Sequence, residues 1–229
     1  MTATSGWSAP DETAIKFLKA AEEIVFESQS ILTVSRVTVA EIVERADGGL
    51  SRGAFTHKWP RRTDFERDLL AYLARGVETR AHRRVLGALE GIIDRAGELD
   101  DPADLLRAGV DRAVRSIVDS GEMSVIIGLW GVCASDPNVR AAMRGSWEAT
   151  RQALTGPLSL LLAVVRRQIK PGLDIDELAA SMNEMFTSFS LRVTTTGEDP
   201  RFGIDEWVRN AMALVVAYSD PMTEEAPAE

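Results

Sequence analysis

Cysteine is all but missing from this chain. Cys133 is the one thiol in 229 residues, so no disulfide can close within the chain and an oxidising compartment gains no support. Histidine is nearly as scarce, with two in all. No His-Glu-x-x-His spacing, phosphate-cradling glycine loop or nucleophile elbow occurs. These gaps exclude the commonest hydrolytic and metal chemistries, and we expect no catalytic residue, no metal site and no cofactor. Long apolar runs are lacking too. The stretch "PLSLLLAVVRRQI" runs into two arginines well short of the roughly 18 residues a membrane span requires. "MTATSGWSAPDETA" has no basic start followed by an apolar core, so no secretory signal is expected. The expectation is a cytoplasmic protein with no membrane partner. Excess positive charge is also absent. The net charge is −9, which as a total disfavours a nucleic-acid partner, although a small basic region can bind on behalf of an acidic chain.

What the sequence does have is helical spacing from end to end. With 45% hydrophobic and 27% charged residues it can bury a core. The fold class expected is all-α, with about nine to ten helices. From Asp11 onward, Ala14, Phe17, Leu18, Ala21, Ile24 and Val25 make one apolar stripe. Thr38 opens a second helix, and Glu41 three residues on completes a capping box. Val39, Ile42, Val43 and Ala46 form its inner face, and "DGG" ends it. Ser51 caps a short third helix with Ala54, Phe55 and Trp59 inward, stopped by Pro60. Thr63 with Glu66 reads as a second capping box that opens a longer helix. Further helices are expected at about 82–96, 102–119 (Asp101 as cap, Pro102 in first position), 122–134 and 137–169, the last broken at "TGP". Two amphipathic helices come next. One carries Leu178, Met182, Met185, Phe186 and Phe189; the other carries Ile204, Trp207, Val208, Ala211, Leu214, Val215 and Tyr218. Residues 1–10 and 220–229 read as flexible tails.

Two helices joined by a tight glycine turn, the second short and polar outside, describe a helix-turn-helix. Its second helix would lie in the major groove. The window Arg36–Arg62 holds six basic residues, Arg36, Arg45, Arg52, Lys58, Arg61 and Arg62, against Glu41, Glu44 and Asp47. Ser51 would start the reading helix. Arg52 suits guanine or phosphate, Gly53 permits close approach, and Thr56 and His57 are short polar readers. Lys58, Arg61 and Arg62 would neutralise phosphates, and Thr38 would offer one the free N–H groups of its helix.

"VTVAEIVERA…LSRGAF.H.WPRRTDF" resembles the DNA-binding region of TetR-family transcriptional regulators. The matching positions are Thr38, Ile42, Ala46, Leu50, Ser51, Gly53, Phe55, Trp59 for a phenylalanine, Arg62 for a lysine and Phe65 for a leucine. Three features depart from that motif. The turn "DGGL" is two residues longer, Thr56 replaces a tyrosine, and Lys58 stands where an aromatic residue or histidine is common. "SDPNVRAAMRGSWEATRQAL" and "IKPGLDIDELAASMNEMFTSFSLR" resemble later helices of the family, the second being its dimer helix.

The resemblance implies a helix-turn-helix domain over 11–62 and a ligand-binding and dimerisation domain over 63–219. It implies a ligand-responsive regulator, a repressor, that binds a pseudo-palindromic double-stranded DNA operator as a homodimer and is released by a small, mainly apolar effector. Met123, Trp130, Met143, Trp147 and Phe186 are the candidate pocket residues. Met185, Phe189, Trp207, Val208, Ala211 and Val215 are the candidate dimer interface. Cys133 is expected to be buried and inert. The other reading is a small-molecule-binding or scaffold protein of the same fold that has lost operator binding. The surface of residues 38–62 separates the two. A continuous positive strip favours DNA; intrusion by Glu41, Glu44 and Asp47 favours the alternative.

Overall fold

A computed structural model describes residues 11–46, 48–93, 102–199 and 201–222. The expected tail 1–10, most of 220–229, and the positions Asp47 and Asp101 lie outside the described residues. Ten helices occur among those described: α1 (Glu12–Glu27), α2 (Thr33–Arg36), α3 (Val39–Arg45), α4 (Arg52–Lys58), α5 (Arg62–Ile93), α6 (Pro102–Asp119), α7 (Glu122–Cys133), α8 (Pro137–Val164), α9 (Ile175–Thr196) and α10 (Ile204–Tyr218). Two three-residue strands, β1 (Arg167–Ile169) and β2 (Ser219–Pro221), complete the chain. The all-α reading holds.

The local signals explain most boundaries. Asp11 caps α1 by accepting from the Ala14 N–H at 2.8 Å. Thr38 and Glu41 form the expected capping box of α3, and Ser51 accepts from the Ala54 N–H at 3.2 Å to start α4. Several expectations change. Thr63 does not open α5, which begins at Arg62, because Glu66 pairs with Arg62 at 2.9 Å instead of turning back to a cap. The helix expected at 82–96 is the continuation of α5. The break at "TGP" is absent, since α8 carries Pro157 inside it. Asp220 and Pro221, read as tail, pair with β1 antiparallel, Gln168 opposite Asp220. Lys170 holds this corner by donating to the carbonyls of Val216 (3.3 Å) and Ala217 (2.7 Å), the exposed C-terminal end of α10.

The residues group into two compact units. One takes the chain up to Thr79 together with Ser120–Ser146, and the other takes Arg80–Asp119 with the chain from Trp147. In the first unit α1 packs on α3, α4 and α7. Phe17, Leu18 and Val25 of α1, Ile42 of α3, Phe55 of α4, Leu69 and Leu73 of α5, and Leu129 of α7 are buried there. The connection between α1 and α2 lies against α7. Gln29 comes so close to Gly121 that a Cβ on the glycine would sit 2.4 Å from its Cγ. In the second unit α6, α9 and α10 share a core that includes Val114, Leu178, Met182, Phe189, Trp207 and Ala211. Ion pairs flank it: Arg107 with Asp205 at 2.8 Å and Arg115 with Asp199 at 3.4 Å.

Candidate nucleic-acid interface

The glycine turn and four aromatic rings set the attitude of α4. Gly48 and Gly49 take φ values of +91° and +66°, a left-handed backbone that other residues adopt only at a cost. Beyond the turn, Phe55 and Trp59 point inward. The Phe55 ring lies 5.3 Å from Phe17, 5.1 Å from Trp59 and 4.9 Å from Phe65. Edge-on and tilted ring pairs at such separations are favourable beyond their buried area. The Trp59 indole N–H is satisfied by Asp68 at 2.9 Å. Helix α4 is therefore seated between α1 and α5 by its inner face. Ser51, Arg52, Gly53, Thr56, His57 and Lys58 are all exposed on the other side.

The cations of this region fall into two groups. Lys58 Nζ lies 2.6 Å from Asp11 Oδ2, and this bond, with the Ala14 N–H, holds the Asp11 carboxyl below its ordinary pKa. Arg45 is paired with Glu27. Arg62 is only partly exposed, and its guanidinium is bound on two sides. Nε donates to Glu66 at 2.9 Å, and Nη2 donates to the Val34 carbonyl of α2 at 2.6 Å. Its Cζ also lies 5.2 Å from the Phe65 ring centre. Arg36, Arg52 and Arg61, by contrast, are exposed and have no ion pair among the described residues.

The N-terminus of α3 is already occupied. The Thr38 N–H (2.7 Å) and hydroxyl (2.8 Å) both donate to Glu41 Oε2. These bonds hold the Glu41 pKa below normal, so a charged carboxylate stands where a phosphate on Thr38 was expected. Glu41 and Glu44 are exposed, and Lys58 and Arg62 are drawn into intramolecular pairs. The cations of this region left without an intramolecular carboxylate partner among the described residues are Arg36, Arg52 and Arg61. Arg36 counts toward the basic window but receives no contact role from the sequence, because no periodicity announces the one-turn helix that carries it.

The residues expected in a pocket belong to both units. Met123 and Met143 are buried and Trp130 half-buried in the first; Trp147 and Phe186 are half-buried in the second, Phe186 against its core. Cys133, expected to be buried, is half-buried.

The six expected interface residues divide. Val208, Ala211 and Val215 are 3%, 0% and 0% exposed within the core of their own unit, where no partner surface can reach them. Half-buried Met185 lines an open groove of about 940 Å³ between α9 and α10, and Phe189 and Trp207, 5% and 7% exposed in the same core, form part of its floor. Its other walls include Ser181, Ser188, Asn210 and Ala213. Those small and polar residues stand seven apart on α9 and three apart on α10, a spacing that an apolar-stripe reading passes over. Among the described residues no group of three or more His, Cys, Asp and Glu could hold a metal. No single helix there is long and apolar enough to cross a membrane.

The same fold occurs in solved regulators. A Rhodococcus sp. structure assigned to the TetR-family transcriptional regulators superposes with a TM-score of 0.56 at 15% identity, covering 90% of this chain and 99% of that one. A TetR transcription regulator from Haloarcula marismortui gives 0.54 at 13% identity over 91% and 99% of the two chains. FadR from Thermus thermophilus, a TetR-family transcriptional repressor in complex with lauroyl-CoA, gives 0.52 at 18% identity over 94% and 98%. No protein-family model matches the chain, and no curated protein does. The chain thus has the TetR fold.

Proposed function

We propose that this protein is a ligand-responsive, DNA-binding transcription regulator that acts as a repressor. One observation carries the reading. A glycine turn and the ring cluster of Phe17, Phe55, Trp59 and Phe65 seat α4 so that Arg52, Gly53, Thr56 and His57 are exposed together. In the groove Arg52 would hydrogen-bond a guanine edge or a phosphate, and Thr56 and His57 would read neighbouring bases. Ser51 starts the helix and Arg61 would steady its far end on the backbone.

A homodimer formed on the outer face of α9 and α10 would present two reading helices about 34–36 Å apart, which calls for a pseudo-palindromic operator. A small, mainly apolar effector would bind one conformation more tightly than the other and shift the spacing of the two heads, so that release results from differential affinity. The contacts proposed from the sequence are Met123, Trp130, Met143, Trp147 and Phe186.

Selection of bound sequences from random duplex DNA, with and without cell extract, tests this reading. Enrichment of a pseudo-palindrome that extract diminishes supports both the operator and the effector. Absence of any enriched sequence favours the second reading, a protein of this fold without operator binding. The pairing of Lys58 and Arg62 inside the chain, and Glu41 at the start of α3, favour that alternative.

A further inference from the structure

We infer that Arg36, on the one-turn helix α2, is a phosphate-contacting residue that supplies the charge the N-terminus of α3 withholds; this rests on the DNA-binding reading above. Helix α2 is held from beneath and from above. Val34 and Val37 are 5% and 4% exposed, so the helix is pinned from beneath on both sides of Arg36. From above, Arg62 reaches over from the start of α5 and grips the Val34 carbonyl at 2.6 Å. A further bond joins the hydroxyls of Ser28 and Thr33, 2.6 Å apart, at the entrance to the turn. A four-residue helix would not persist alone. Here packing and the guanidinium fix it, and its exposed side carries Ser35 and Arg36.

Arg36 stands two residues before the start of α3. Val37 (ψ 130°) and Thr38 (ψ 156°) are extended, so the Cα atoms of Arg36 and Thr38 are separated by no more than about 7 Å. At Thr38 the backbone N–H and the hydroxyl donate to the Glu41 carboxylate, and the Glu41 N–H donates to the Thr38 hydroxyl. A DNA phosphate that approaches there meets a carboxylate and is repelled unless a cation stands beside it. Arg45, Lys58 and Arg62 are each committed to a carboxylate, whereas Arg36 has no ion pair among the described residues. A guanidinium in this place would take a phosphate in two parallel hydrogen bonds. Arg62, which stands where the resembled motif has a lysine, then acts one step removed: it positions the helix that presents Arg36.

A phosphate contact carries no sequence information, which gives it a distinct signature. The full-length protein is titrated with its selected operator and with a scrambled duplex over a series of potassium chloride concentrations. In Arg36→Gln the slope of log affinity against log salt should become shallower by about 0.9 for each head engaged. Affinity should fall about tenfold near physiological salt, equally for both duplexes, so the preference for operator stays unchanged. Arg36→Lys should recover the slope, and an unchanged melting temperature checks the fold. An Arg36→Gln slope equal to that of the wild type, with operator still bound, overturns the role of Arg36 and leaves the DNA-binding reading standing. A wild-type protein that binds neither duplex overturns both.

Discussion

Ile31 and Gly128 meet with no room between them: a Cβ on Gly128 would lie 2.2 Å from Ile31 Cγ2 and 2.6 Å from its Cβ. Optimal carbon contacts are about 3.5–4.0 Å, so only glycine lets the connection after α1 lie against α7. Gly128→Ala should therefore cost about 1–3 kcal/mol, the usual penalty for overpacking. Gly131, three residues on and with open space around it, is the internal control. Gly131→Ala should be neutral or gain up to about 1 kcal/mol from helix propensity. Thermal or urea unfolding of the two variants measures the contrast. Equal behaviour would mean that Ile31 yields to the added methyl.

On the DNA face, Arg52→Ala should cost about 1–3 kcal/mol against the selected operator and relax the preference at one base position. Thr56→Ala should act in the same direction with a smaller effect. Fluorescence anisotropy on single-base variants of the operator reads both. An unaltered preference profile in the double variant would show that α4 is not the reading helix.

The division of the interface residues leads to paired substitutions on α10. Ala213 and Ala217 are both exposed on the groove side, so Ala213→Arg with Ala217→Arg should leave the protomer folded and give monomers by light scattering. Val208→Asp, with its side chain 3% exposed in the protomer's own core, should unfold the protein instead. Persistence of a dimer in the arginine variant would remove the outer face of α10 from the interface.

Asp11 links the cap of α1 to Lys58 of α4, and its folded pKa lies below the ordinary value of 3.8. A depressed carboxyl pKa stabilises the fold above its unfolded value, and that contribution is lost as pH falls through the folded value. Asp11→Asn keeps a good cap but gives up the ion pair. Its stability should fall less steeply than the wild type's as the solution is acidified below about pH 4. The same change frees Lys58, so the salt slope of DNA binding should steepen by up to about 0.9 for each head. Acid unfolding curves that coincide with the wild type's would show that the pair contributes nothing.

Much of the fold was legible because helix signals are local. The caps at Asp11, Thr38 and Ser51, the stripe of α1 and the inward Phe55 and Trp59 are written within a few residues of where they act. Other features are settled by partners distant in the chain. Helix α2 has Leu32 at its start with no side-chain cap, and it exists because Val34, Val37 and Arg62 hold it. The helix expected at 82–96 reads as separate, yet α5 runs without a break through Gly76, where a Cβ would lie 3.2 Å from Glu22 Oε1 of α1. Periodicity shows which face of α10 is covered but not what covers it, so Val208 and Val215 read as interface when they are core. Nor does a basic residue announce its counter-ion, and Lys58 and Arg62 seemed available to DNA for that reason.

The two-sided grip of Arg62 also has a consequence for descent. A lysine has a single ammonium and cannot hold the Val34 carbonyl and the Glu66 carboxylate in one planar fork. Arginine here and the one-turn helix before α3 therefore depend on one another. Among relatives the two should be gained together and lost together, and a lineage that reverts to lysine should shorten that turn or let it melt.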